Sequence, residues 1–458
     1  MTQDTIFACS TAPGRAGVAV IRLSGPQAGA ALAALGGGLL PAPREAVLRR
    51  IVDPASGKVI DRGLLLWFPA PASFTGEDVG ELQIHGGRAV TAAALEALAG
   101  LQGLRPAEAG EFTRRAFDND KLDLSAVEGL ADLIDAETEA QRRQALRQME
   151  GGLARLTGDW AARLLRVLAH FEAAIDFVEE ELPAGLGREA LARAAEVAAE
   201  IDAALDDRQG GERLREGLSA VILGAPNAGK SSLLNALAQR DVAIVSEMAG
   251  TTRDIVEVHL DLAGYPVTLA DTAGLRRVAA AQDPQAAIEQ AGMARAHARA
   301  AAADVKLLLV DLEAALRDEG VLAAALDLYD DRSLLLLNKA DRCEAGTVEA
   351  LCARLAEKDP LVISARTGAG LDQVLSRLVG LAGACFGGAE ESAGITRLRH
   401  RRALEDCRDA LARSRTAELP ELIAEELRLA VRALGRVTGR VDVEDLLDIV
   451  FSEFCIGK

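Results

Sequence analysis

Residues 224–231 read Gly-Ala-Pro-Asn-Ala-Gly-Lys-Ser, a glycine-rich octapeptide closed by a lysine and a hydroxyl. It follows the apolar run Leu218-Ser-Ala-Val-Ile-Leu223 and opens the helix-like Ser232-Leu-Leu-Asn-Ala-Leu237. Strand, glycine-rich loop and helix in that order form a phosphate cradle. The glycines let backbone N–H groups turn toward the phosphates, Lys230 adds a point charge and Ser231 offers a hydroxyl to Mg²⁺.

Further chemistry follows in order. Asp271-Thr-Ala-Gly274 comes after the apolar run Pro266–Ala270, where an acid can reach a metal shell and a glycine N–H can meet a γ-phosphate. Asn338-Lys-Ala-Asp341 ends the apolar run Leu334–Leu337. A carboxylate at Asp341 accepts two hydrogen bonds from the guanine ring N–H and exocyclic amine. Adenine would leave it desolvated and unpaired, a cost of about 1–3 kcal/mol. Ser364-Ala-Arg366 completes the base pocket, and Thr252, in the Gly-Thr-Thr of segment 245–254, is the second candidate hydroxyl for Mg²⁺. Together these elements point to guanine nucleotide hydrolysis. Leu275 stands where small regulatory GTPases carry a water-orienting glutamine, so another group must hold the water.

The elements that must position these residues are legible from periodicity. Residues 1–119 mix strand-like runs (Val18–Leu23, Leu64–Phe68, Glu81–Ile84) with helical stretches near 28–35 and 90–101, an α/β domain. Residues 120–215 are expected to be helical from Leu122 on, with one interruption at Leu182–Gly187. Residues 216–382 alternate strand and helix, the pattern of a doubly wound, mainly parallel sheet, and 383–458 return to helix. The two helical blocks are expected to form one discontinuous domain into which the nucleotide domain is inserted.

Composition narrows the class. A chain of 458 residues, half of them apolar, holds about three domains. The formal charge of −18 argues against nucleic-acid binding by the molecule as a whole, leaving local runs such as Arg397–Arg402 and Arg142-Arg143, each with a solvated helix face as the competing reading. Six cysteines without C-x-x-C pairs point to reduced thiols, and the absence of a long apolar run or signal pattern points to a cytoplasmic protein with no membrane contact. The terminal Phe454-Cys-Ile-Gly-Lys458 does not fit a prenylation box.

Outside the nucleotide motifs the chain carries Thr11-Ala-Pro-Gly-Arg-Ala-Gly17, Arg22-Leu-Ser-Gly25, Ser73-Phe-Thr-Gly-Glu-Asp78, His85-Gly-Gly87, Gly110-Glu-Phe-Thr-Arg114, Asn119-Asp-Lys-Leu-Asp-Leu124 and the terminal Phe454–Lys458. With these, the chain resembles, nearly end to end, the tRNA-modification GTPase family called MnmE or TrmE. The resemblance implies an N-terminal folate-binding and dimer-forming domain, a discontinuous helical domain and an inserted G domain. It implies a homodimer that acts on tRNA with an FAD-dependent partner called MnmG or GidA, adding an aminomethyl-type (carboxymethylaminomethyl) group at C5 of the wobble uridine. The carbon comes from a tetrahydrofolate, and K⁺ stimulates hydrolysis when two G domains meet.

Carried over motif by motif, the resemblance implies GTP contacts at Asn227, Ala228, Gly229, Lys230, Ser231, Ser232, Ser246, Thr251, Thr252, Asp271, Thr272, Ala273, Gly274, Asn338, Lys339, Asp341, Ser364, Ala365 and Arg366. It implies K⁺ ligands at Asn227, Ser246, Met248 and Thr251, with a loop-stabilising hydrogen bond as the other reading of Asn227. Folate contacts fall on Arg22, Glu81, Lys121 and Lys458. The water-positioning glutamate falls on Glu289, with Asp283 as the alternative because the segment between Gly274 and Glu289 is longer than expected. Cys455 has two readings, a nucleophile whose pKa Lys458 lowers and a small packing residue. A ribosome-assembly GTPase and an externally activated signalling switch are the competing function classes. The acidic charge and the non-nucleotide motifs weigh against the first, Leu275 and the K⁺-type loop against the second.

Overall fold

The computed structural model describes residues 4–176, 186–206, 210–240, 242–244, 257–271, 303–386 and 394–441, with 447, 450, 451, 454 and 457. By its contacts the chain divides into two units. One is Met1–Ile134 with Leu146–Glu200 and Arg402–Lys458; the other is Asp135–Ala145 with Ile201–Arg401.

The first unit starts with six strands, β1 (Thr5–Cys9), β2 (Ala16–Ser24), β3 (Val47–Val52), β4 (Val59–Phe68), β5 (Val79–Gly86) and β6 (Leu104–Pro106), in the order β3-β4-β5-β2-β1-β6. Only the β1–β6 pair is parallel. Alternation along β2 sends Ala19, Ile21 and Leu23 into a core with Leu32 and Leu98 of the helices Ala28–Leu35 and Arg88–Ala99. The period-2 pleat therefore turns Val20 and Arg22 to the opposite face.

Helices Leu124–Asp135 and Gly152–Asp176 extend this unit. The expected single interruption of the first helical block is corrected: the chain also leaves helix at 136–138 and 150–151, and 182–185 lie outside the described residues. At the first break the Gln141 side chain accepts the backbone N–H groups of Glu137 and Thr138, starting the helix Glu139–Met149 afresh. Late residues rejoin early ones. Leu153 shares a core with Ala403 and Val437 of the helices Leu398–Ser414 and Pro420–Thr438. Leu124 and Val127 bury against Val450, Phe451 and Phe454. The helical domain is discontinuous.

The second unit holds seven strands, β7 (Leu218–Leu223), β8 (Ala243–Ile244), β9 (Glu257–Leu262), β10 (Tyr265–Asp271), β11 (Val305–Asp311), β12 (Ser333–Asn338) and β13 (Leu361–Val362), ordered β13-β12-β11-β7-β10-β9-β8. The run from β13 to β10 is parallel, and β9 and β8 add antiparallel edges. Continuous apolar strands such as Leu334–Leu337 are buried because helices cover both faces, Lys230–Ala238 and Leu371–Phe386 on one and Ala345–Arg354 on the other. The C-terminal ends of β7, β10, β11, β12 and β13 all point to one edge, where ligands of open α/β sheets bind.

Candidate functional site

At that edge the backbone between β7 and the helix Lys230–Ala238 forms a tight loop. Gly229 caps the helix at φ +100°, and a Cβ there would sit 2.4 Å from Asn338 Nδ2, so only glycine fits. The helix N-terminus presents its positive dipole end to the loop. Lys230 Nζ donates to the carbonyl oxygens of Gly224 at 2.9 Å and Ala225 at 3.0 Å, holding the charge over the loop. Ser231 and Ser232 are exposed on the first turn and Ala228 is buried.

Asn227 sits at φ +62°, a left-handed conformation that asparagine tolerates better than most residues. It is exposed, and its side-chain amide makes no hydrogen bond among the described residues. Among the described residues, the loop-stabilising reading of Asn227 has no side-chain partner.

Asn338 joins the 224–231 loop to the turn at Ser364–Arg366. At 2% exposure it donates from Nδ2 to Ala228 O at 2.8 Å and accepts Ala365 N–H on Oδ1 at 3.0 Å. Ser364 Oγ donates to Asp341 Oδ1 at 2.7 Å, and Arg366 Nε lies 3.3 Å from Asp341 Oδ2. The Ser364 bond, with the nearby Arg366 and Arg342 charges, holds the Asp341 carboxyl below the usual carboxylate range. It stays an anionic acceptor at neutral pH, as pairing with guanine requires. Lys339, at φ +66°, is bound through Nζ to Asp311 Oδ2 at 2.6 Å, a partner the sequence reading did not single out.

Asp271 closes β10 beside Ile222 of β7, one strand from the loop. Ser246, Met248, Thr251, Thr252, Thr272, Ala273, Gly274, Leu275, Asp283 and Glu289 lie outside the described residues. The structure thus brings together Asn227–Ser231, Asn338–Asp341 and Ser364–Arg366.

In the first unit Arg22 and Glu81 are cross-strand partners on β2 and β5. Arg22 donates from Nε and Nη2 to Glu81 Oε1, both at 3.0 Å, on the sheet face opposite the main core. The guanidinium lies 5.4 Å from the Phe74 ring centroid and 6.0 Å from that of Phe112. Phe112 is fully buried and Phe74 half-buried, so the salt-bridged pair offers a heteroaromatic ring donors and acceptors beside one apolar wall, Phe74. Lys121 lays its aliphatic stem over Gly76 in the same 73–78 loop that carries Phe74. That loop is anchored below by Arg115, which at 5% exposure reaches Glu77 at 2.9 Å, while Glu77 accepts Ser24 Oγ at 2.7 Å. Lys458 and Cys455 lie outside the described residues, although Gly457 O accepts Ser10 Oγ at 2.9 Å.

Arg401 and Arg142 of the basic runs have defined partners. Arg401 is buried, 3.2 Å from Glu212 and donating to Leu205 O, so it is neither a solvated face nor a nucleic-acid contact. Arg142 pairs with Glu139 on the same helix at 2.7 Å. No helix among the described residues is long and apolar enough to cross a membrane.

Comparison with known proteins decides the family. The family described as GTP-binding protein TrmE N-terminus matches residues 5–121, and the MnmE helical domain matches residues 124–455, spanning the inserted nucleotide module. The chain is 56% identical over 460 residues to the tRNA modification GTPase MnmE of Parvibaculum lavamentivorans, covering 100% of both chains. It belongs to the MnmE family. The MnmE proteins of Rhodospirillum rubrum and Paramagnetospirillum magneticum are each 52% identical to it, again over 100% of both chains. The end-to-end match assigns the three parts of the fold together: TrmE-type N-terminal sheet, split helical domain and GTPase module.

Proposed function

We propose that this MnmE-family chain hydrolyses GTP in a K⁺-stimulated cycle that drives folate-dependent modification of the wobble uridine of certain tRNAs. It acts in the cytoplasm as a homodimer, with an FAD-dependent partner of the MnmG type. The observation that carries the reading is the joining of a phosphate loop and a guanine-type carboxylate by one buried residue, Asn338, in a chain matching tRNA modification GTPases over its whole length.

The parts have separate supports. Asp341, held anionic, selects guanine, and Lys230 with the helix N-terminus receives the phosphates. Ser231 and Thr252 would hold Mg²⁺. Asn227, exposed and uncommitted, would ligate K⁺ with Ser246, Met248 and Thr251. A cation bound there supplies positive charge against the charge developing on the phosphates, the need that Leu275 leaves unmet. Glu289 would orient the attacking water. Arg22 and Glu81 offer a hydrogen-bonding edge for a pterin, with Phe74 as an apolar wall and Lys121 and Lys458 toward the acidic tail. Cys455 would act as the nucleophile toward the uridine.

The test is mass spectrometry of nucleosides from total tRNA of cells with and without this gene. The C5 modification of the wobble uridine should vanish on deletion and return with the wild-type gene but not with Cys455→Ser. Return with Cys455→Ser would keep the pathway and remove the nucleophile, and an unchanged nucleoside profile would overturn the tRNA reading.

A further inference from the structure

The Asp311 carboxylate has two jobs, one on each oxygen. Oδ1 accepts the backbone N–H groups of Glu313 at 3.0 Å and Ala314 at 3.3 Å, capping the helix Leu312–Arg317. Oδ2 takes the Lys339 ammonium at 2.6 Å, with the two side chains 17% and 23% exposed. Parallel pairing makes this possible: Asp311 closes β11 directly beside Asn338, which closes β12, so Lys339 is the first residue beyond the register.

Lys339 is also the point where the base-binding turn takes its least favourable conformation. At φ +66° it is left-handed without being glycine, a state that persists only when the surroundings hold it. On one side of it Asn338 sets the distance to the phosphate loop, and two residues on Asp341 presents its carboxylate. The backbone of the turn is held by Arg342 N–H on Lys339 O at 3.0 Å and Ala340 N–H on Ile363 O at 3.1 Å, and Asp311 fixes the Lys339 side chain.

We propose that Asp311 is a positioning residue for guanine nucleotide binding, acting through Lys339 rather than touching the nucleotide. This rests on the reading of Asn338–Asp341 as the guanine site. Asparagine at 311 keeps a cap acceptor for the helix but removes the counter-charge, so the two jobs can be separated.

The experiment is a double-mutant cycle on the full chain, titrated with a fluorescent GDP analogue and accompanied by thermal unfolding. Asp311→Asn should weaken GDP on the order of tenfold, in the range of couplings between contacting charged residues, with unfolding temperature little changed. In a Lys339→Gln background the same change should cost less than about twofold, because the partner is already gone. Lys339→Gln leaves the cap untouched and should by itself lose at least as much affinity as Asp311→Asn; a smaller loss would overturn the action through Lys339. Equal losses from Asp311→Asn in both backgrounds, or no loss at all, would overturn the proposal and leave the guanine site standing. Asp341→Asn tests that site separately: it should shift preference from guanine toward xanthine nucleotides. Failure of that shift would remove the base assignment and this proposal with it.

Discussion

Asn338 and Ala228 stand 110 positions apart in the chain and are joined by a 2.8 Å bond from the asparagine Nδ2 to the alanine carbonyl. With Ala365 N–H bound to the other side of the same amide, one side chain fixes how far the phosphate loop lies from the base pocket. A nucleotide whose base and phosphates must both be satisfied is measured against that spacing.

Asn338→Ala should therefore act on affinity and stability together. It leaves the buried Ala228 carbonyl and the partly buried Ala365 N–H without partners, a cost of about 1–3 kcal/mol, and GDP affinity should fall by at least about a hundredfold. Thermal unfolding with and without GDP checks both: the variant should melt earlier and gain little from added GDP.

GTP turnover should be much faster in KCl than in NaCl, and Asn227→Ala should remove most of the difference. Because Asn227 sits at φ +62°, alanine also introduces backbone strain, so Asn227→Gly is the sharper variant. If glycine abolishes the K⁺ advantage with GDP affinity intact, the amide is the ligand. Equal rates for the wild-type protein in the two salts would remove the potassium assignment.

Glu81→Gln should reduce binding of a tetrahydrofolate derivative by roughly tenfold or more, since it removes the charge that holds Arg22 and would pair with the pterin edge. Isothermal titration of the purified protein reads this directly. GTP turnover of the variant without folate or tRNA should be unchanged, because Glu81 lies in the first unit and the nucleotide site in the second.

Cys407 is fully buried, and burial pushes its thiol up to about 12. An acid whose folded pKa is raised keeps its proton longer folded than unfolded. The unfolded chain then binds fewer protons, and stability falls as pH rises from about 9 towards 12. At pH 8 iodoacetamide should leave Cys407 unmodified in the folded protein and label it in denaturant, while the partly exposed Cys9 is labelled without denaturant. Mass spectrometry of tryptic peptides distinguishes the outcomes.

The nucleotide half of the molecule was legible because its signals are local. Glycines, a lysine and an Asn-Lys-x-Asp run sit at the ends of apolar strands whose burial on both faces makes them continuous in sequence, as in Leu334–Leu337. β9 carries an equally local mark, Val258, Leu260 and Leu262 alternating with His259 and Asp261, the pattern of an antiparallel strand. β1 is nearly all buried over five residues and offers no alternation to read. The tertiary pairs were out of reach for a different reason. Arg22 faces Glu81 because of the β2–β5 register, and Arg115 is buried because Glu77 and Asp4 surround it. Charge type says nothing about either, just as the run at 397–402 gave no hint that Arg401 is an interior residue.

Ser10 and Gly457 are held together across 447 positions, and at φ +104° only glycine fits there, because a Cβ would strike Cys9 O at 2.4 Å. For a chain under synthesis this contact is a matter of timing. At about 5–20 residues per second the ribosome takes roughly 20–90 s to deliver Gly457 after Ser10 has been made. Through that interval the rim of β1 waits uncovered while the helices and the whole nucleotide module are made. A chain made only as far as Phe454 carries every GTPase motif yet lacks the carbonyl to which Ser10 Oγ donates.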